Sequence, residues 1–124
     1  MKTLTKQEAI ANHRRMWNWI ADETERQTMI VGEKEYFEAS GITNIPFGIC
    51  YCCEYANQRK EVLQTGTTCK NCPINWGENG NTCAVLYNEQ GEHVGDGLYC
   101  QWHNAIHWPE AAELAREIAN SPER

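Results

Sequence analysis

No stretch of this 124-residue chain is apolar for the length that a membrane span needs. The start, Met1-Lys2-Thr3-Leu4-Thr5-Lys6, lacks the apolar run of a signal peptide. Positive charge is scarce: 11 Lys and Arg stand against 17 Asp and Glu, for a formal net charge of −6. Such a balance repels phosphate backbones and leaves no electrostatic footprint for nucleic acid. It suits a basic patch on a protein partner instead. There is no phosphate-cradling glycine loop, no internal repeat and no low-complexity segment. An even set of cysteines is missing too. The chain has seven, and four of them form two close pairs, which favours a reducing compartment over a disulfide scaffold. Together these absences predict a soluble, cytosolic, single-domain protein over residues 1–124.

What the chain does have is thiols at regular spacing. Cys50-x-x-Cys53 is followed after fifteen residues by Cys69-x-x-Cys72, and Cys83 lies eleven positions beyond Cys72. Two C-x2-C pairs at that separation match a four-thiolate zinc site, because each pair turns two sulfurs toward one ion and the loop between closes a tetrahedron. Four thiolates leave no open position for a reactive water, so the metal would be structural. It would also carry the chain to a net charge of about −8. Register within the cluster stays open: Cys52 adjoins Cys53, and Cys83 is a further sulfur. Cys100 and His103 have C-x2-H spacing, and His103 and His107 stand four apart, which raises a second metal site as a weaker candidate.

Around this middle the chain reads as helical. Thr5 with Glu8 three positions on forms a capping-box pattern opening a helix to about Thr28. Ala9, Ile10, His13, Met16, Trp17, Ile20 and Thr24 fall on one arc of it, and His13 reads as a satisfied core residue. Asp22 and Arg26 are spaced to pair on the opposite side. A short helix is expected over 33–40, stopped by Gly41. Residues 83–87 read as a short apolar strand, and residues 88–97, with three glycines, as an insertion or mobile loop. Asp96 is placed to cap a helix whose inner face is Leu98, Trp102, Ala105 and Ile106. Pro109 suits the first turn of a last helix with Ala111, Leu114, Ala115 and Ile118 inward, and the residues after Ser121-Pro122 should fray. The expectation is a mainly α fold with a small α+β zinc-ribbon or knuckle module in the middle. N-terminal helices occupy 1–48, the zinc module 49–87 and C-terminal helices 96–121. The two ends pack together over Trp17, Trp102, Ile106, Leu114 and Ile118.

No catalytic set is legible. A zinc deaminase needs His-x-Glu ahead of Pro-Cys-x-x-Cys; here Pro73 follows its cysteines and Glu54 has no histidine two positions before it. The stretch from His103 to His107 packs a His, an Asn and a His into one turn, whereas metal nucleases disperse such residues over several elements.

Four segments carry a resemblance: Trp17-Asn18-Trp19-Ile20-Ala21, Cys50-Tyr51-Cys52-Cys53-Glu54-Tyr55-Ala56, Cys69-Lys70-Asn71-Cys72-Pro73-Ile74-Asn75-Trp76, and the alanine-rich run from Ala111 to Ala119. In this order they resemble a group of small bacteriophage and prophage proteins. The resemblance covers most of the chain and is most specific in the two cysteine segments. It implies a phage accessory role in the host cytosol and a structural zinc at Cys50, Cys53, Cys69 and Cys72. The partner class it suggests is a host protein, such as a defence component or the transcription machinery. Two other readings stand beside it. One is sequestration of a nucleotide-type signal on spare aromatic surface. The other is nucleic-acid binding through Arg14, Arg15 and Arg26 on the first helix.

Overall fold

The computed structural model describes residues 4–43, 45–46, 50–56 and 72–123. Helix α1 (Lys6–Gln27) begins as its sequence dictates: the Thr5 side chain accepts from the Glu8 amide at 3.1 Å, and the Glu8 carboxylate accepts from the Thr5 amide at 3.0 Å. Two otherwise unpaired backbone donors are satisfied at once. It ends where Thr28 turns into the left-handed region at φ 50°. The expected arc is buried, including Ile20 and Thr24 at 0 % exposure. Helix α2 (Glu33–Ser40) stops at Gly41, whose φ of 70° is open to glycine at no steric cost.

Residues 51–56 are helical (α3), so the first cysteine pair opens a helix. Residues 57–71, which hold Cys69 and the middle of the expected zinc module, lie outside the described residues. Strands β1 (Val85–Tyr87) and β2 (His93–Asp96) pair antiparallel, with Val85 opposite Asp96 and a register shift between Leu86 and Tyr87. Helices α4 (Leu98–Asn104) and α5 (Trp108–Ala119) follow.

The core lies mainly between α1 and α5, with α4 and α2 closing its sides. Trp17 and Trp102 meet edge to face at 4.9 Å between ring centroids, and Trp19 meets Tyr36 in the same way at 5.5 Å. Across the solvent side, Arg116 on α5 reaches Asp22 at 2.8 Å and Glu25 at 2.6 Å on α1. The fold is therefore mainly helical with a two-stranded antiparallel sheet, and helices from both ends pack together. None of the described helices is long and apolar enough to cross a membrane.

Five expectations are corrected. Residues 88–97 are not loop throughout: they carry the turn and the second strand of the sheet, with Asn88 bonding Gln90 and Glu92 through its side chain. Asp96 belongs to β2, and Gly97 occupies the cap of α4. Helix α4 stops at Asn104, so Ile106 leaves the core and is 80 % exposed. Arg26 pairs with Glu23 at 2.6 Å, because Asp22 is taken by Arg116. Nor do residues 121–123 fray after α5. Glu123 bridges to Ile74, and Pro122 accepts the Asn75 amide at 2.8 Å, which ties this stretch to the residues just past Cys72.

Candidate metal centre

Cys50 acts as the cap of α3. Its carbonyl accepts the Glu54 amide at 2.9 Å and its sulfur accepts the Cys53 amide at 3.1 Å. That half-turn brings the Cys50 and Cys53 thiols into hydrogen-bond contact, and this contact together with burial raises the Cys50 pKa well above the ordinary thiol value. Cys52, on the other side of the turn, is 1 % exposed and packs with Ile10, Cys72 and Ile74. Its thiol bonds to that of Cys72, which together with burial raises its pKa strongly. The Cys72 sulfur also accepts the Trp76 indole N–H at 3.4 Å. Clustered thiols of this kind resist ionisation in one another's company unless a cation offsets the charge.

Cys83 comes from the loop ahead of β1. The start of α4 fixes its backbone: the Cys83 carbonyl accepts the Tyr99 amide at 2.9 Å, and the Ala84 carbonyl accepts the Gly97 amide at 2.9 Å. A side chain at Gly97 would place its first carbon 2.4 Å from the Cys83 carbonyl oxygen, so only glycine permits this approach.

Cys50, Cys53 and Cys83 line one cavity of about 110 Å³, together with His13, Glu33 and Tyr99. Trp17, Trp76 and Ile118 complete its walls. The Tyr99 hydroxyl donates to the Glu33 carboxylate at 3.4 Å. Burial raises the Glu33 pKa and, with the Glu33 charge beside it, pushes Tyr99 up to about 12. His13 is 2 % exposed. Its Nε2 lies 3.0 Å from the Ile118 carbonyl, which can only accept, so Nε2 carries the proton. Its Nδ1 is buried and has no hydrogen-bond partner. Desolvation lowers its pKa from 6.5 to about 4, so the ring is neutral at physiological pH.

The candidates read from the sequence are thus distributed unevenly. Cys50 and Cys53 stand together, Cys72 lies beside them against Cys52, and Cys69 lies outside the described residues. Cys83, a lone cysteine with no spacing partner, joins the first pair. His13 was read as satisfied in the core and is only half satisfied. Its helical periodicity gave burial but not hydrogen bonding. The second candidate site is not assembled: α4 ends between His103 and His107, His103 stacks on Tyr99 at 6.1 Å, and both histidines are exposed. Among the described residues, no three His, Cys, Asp or Glu side chains are placed to hold one metal ion. Comparison with protein-family models, curated proteins and solved structures finds no match for this chain.

Proposed function

We propose that the chain is a phage-type accessory protein that binds a host protein in the host cytosol, with a zinc ion at its cysteines serving only to hold the fold. The observation that carries this reading is an apolar hollow where the end of α1 meets the corner between α4 and α5. Met29 is 56 % exposed and Ile106 80 %, and they line the hollow with Ile30, Trp108 and Pro109. Large apolar side chains gathered in adjacent loops mark contact sites more often than chance exposure does. Glu110 and Glu113 stand exposed at the start of α5, and the chain as a whole is acidic. The partner that fits is a protein surface presenting an apolar side chain flanked by Lys or Arg.

The test is capture of a host protein at one-to-one yield by the wild-type chain and by Val94→Asp, a change at an exposed position on β2, with loss of that protein from Met29→Asp and Ile106→Asp. Rebinding of the purified partner, weakened by salt, completes it. Equal capture by Ile106→Asp and wild type, or no protein at that yield, ends the proposal.

The alternatives draw less support. Arg14 lies 3.8 Å from Glu123, Arg26 is held by Glu23, and Arg15 donates to Asn12, so the three arginines do not form an uncommitted basic stripe. The cysteine-lined cavity, at about 110 Å³, is smaller than pockets that enclose nucleotide-sized ligands, and the hollow at Met29 and Ile106, at about 540 Å³, is lined by no Lys or Arg to face a phosphate.

A further inference from the structure

The cavity beside the first cysteine pair holds a feature that sequence spacing does not reveal. We propose that it binds a small organic cation of the guanidinium class, with an N–H of the ligand donating to His13 Nδ1 and with Glu33, Trp17, Trp76 and Tyr99 supplying the charge and the walls. None of the thiols takes part. The cavity shares no lining residue with the hollow at Met29 and Ile106, so the host-protein reading stands or falls separately.

Three observations converge. The first is the state of the polar groups. Three donors of the lining are spent within the protein: His13 Nε2–H on the Ile118 carbonyl, the Trp76 indole N–H on the Cys72 sulfur, and the Tyr99 hydroxyl on Glu33. What is left over is an acceptor, His13 Nδ1, which is buried and has no partner. A buried nitrogen of that kind is rare and calls for an explanation. A ligand that donates supplies one. Burial keeps the ring neutral, so the Nδ1 lone pair is open.

The second observation is charge. Among the described residues, the lining holds one carboxylate, Glu33, and no Lys or Arg. Burial works against the Glu33 charge by raising its pKa, and a cation in the cavity offsets that cost. Aromatic rings attract cations, more strongly where water is excluded, and three of them stand in these walls. The third is size. A cavity of about 150 Å³ accepts benzene, so one of about 110 Å³ has room for about four or five non-hydrogen atoms. A guanidinium group fits that volume. It is planar, with donors on its rim and a face that stacks on aromatic rings.

Methylguanidinium, N-methylurea and tetramethylammonium have equal numbers of non-hydrogen atoms and separate the requirements. The urea keeps the donors and loses the charge; the quaternary ion keeps the charge and loses the donors. Titration of the intact chain at neutral pH, followed by NMR, should show one saturable site for methylguanidinium with a dissociation constant of about 0.1–10 mM, as expected for so small a ligand. The other two probes should bind about tenfold more weakly or worse. Overhauser contacts should run from the probe's methyl group to the ring protons of Trp17 and Trp76. His13→Phe and Glu33→Gln should each weaken binding about tenfold, and Val94→Asp, at an exposed position on β2, should leave it unchanged. Equal affinity for the three probes, or methylguanidinium binding that survives both substitutions, would overturn the proposal. So would the lack of a saturable site up to about 20 mM, in which case a buried water sits on His13 Nδ1. Should a variant fail to fold, the ring contacts in the unaltered chain decide: their absence at saturation overturns the proposal.

Discussion

Burial holds the His13 ring neutral down to about pH 4, while in the unfolded chain the same ring takes its proton near 6.5. Between those values the unfolded state binds more protons than the folded state. Stability is therefore complete above about 6.5 and falls as pH is lowered through that window, by up to about 3 kcal/mol. Denaturant melts at stepped pH should show this slope, and His13→Asn should flatten it. Gly97 makes a second prediction at this scale. Its φ of −71° suits any residue, but an added carbon meets the backbone of Thr82 and Cys83, which cannot swing aside. Gly97→Ala should destabilise the fold by about 1–3 kcal/mol, read as a lowered denaturation midpoint.

At the scale of elements, two kinds of contact join α1 to α5, and their magnitudes differ. Arg116 bridges Asp22 and Glu25 with all three side chains at least 40 % exposed, so Arg116→Ala should cost less than about 1 kcal/mol. Ile20 is fully buried in the same interface, and Ile20→Ala should cost about 2–5 kcal/mol. Chemical denaturation of the two variants ranks the contributions, and a larger loss from Arg116→Ala would contradict the ranking. The same pair of helices shows what was legible in advance. The capping box at Thr5 and Glu8 and the buried arc of α1 are local, periodic signals. So is the inward stripe of α5, and all three appear as read. The misreadings have non-local causes. Asp22 was taken from Arg26 by a residue on α5, and Asp96 was drawn into a strand by Val85. Ile106 continues the spacing of Leu98 and Trp102. Yet Pro109 fits only the first turn of a helix, so the chain must break just before it, and Ile106 falls in the break. In the centre, C-x2-C spacing marked Cys50 and Cys53, and Cys83 was a further sulfur without a spacing partner; the approach of α4 to its loop places it at the same cavity as the first pair.

For the whole molecule, the aromatic and aliphatic core and the smaller sulfur-rich cluster are distinct groups of buried side chains among the described residues, with Trp76 packed against both. On the proposed structural-metal reading, a strong chelator should accordingly act unevenly. The far-ultraviolet signal of α1 and α5 should largely persist. The near-ultraviolet signal of Trp17, Trp76 and Tyr99 around the cavity should collapse, and the cysteines proposed to hold the ion should become open to alkylation. Loss of both signals together would mean that the metal supports the entire domain, as it does in the smallest zinc modules, where its contribution is on the order of 10 kcal/mol. The bond from His13 to the carbonyl of Ile118 joins positions 105 apart in the chain. A ribosome delivers the imidazole first, the sulfurs next and that carbonyl last. The ring and the sulfurs of the first cysteine cluster are therefore made well before the carbonyl that orients the imidazole, and their shared pocket can close only once the final helix arrives.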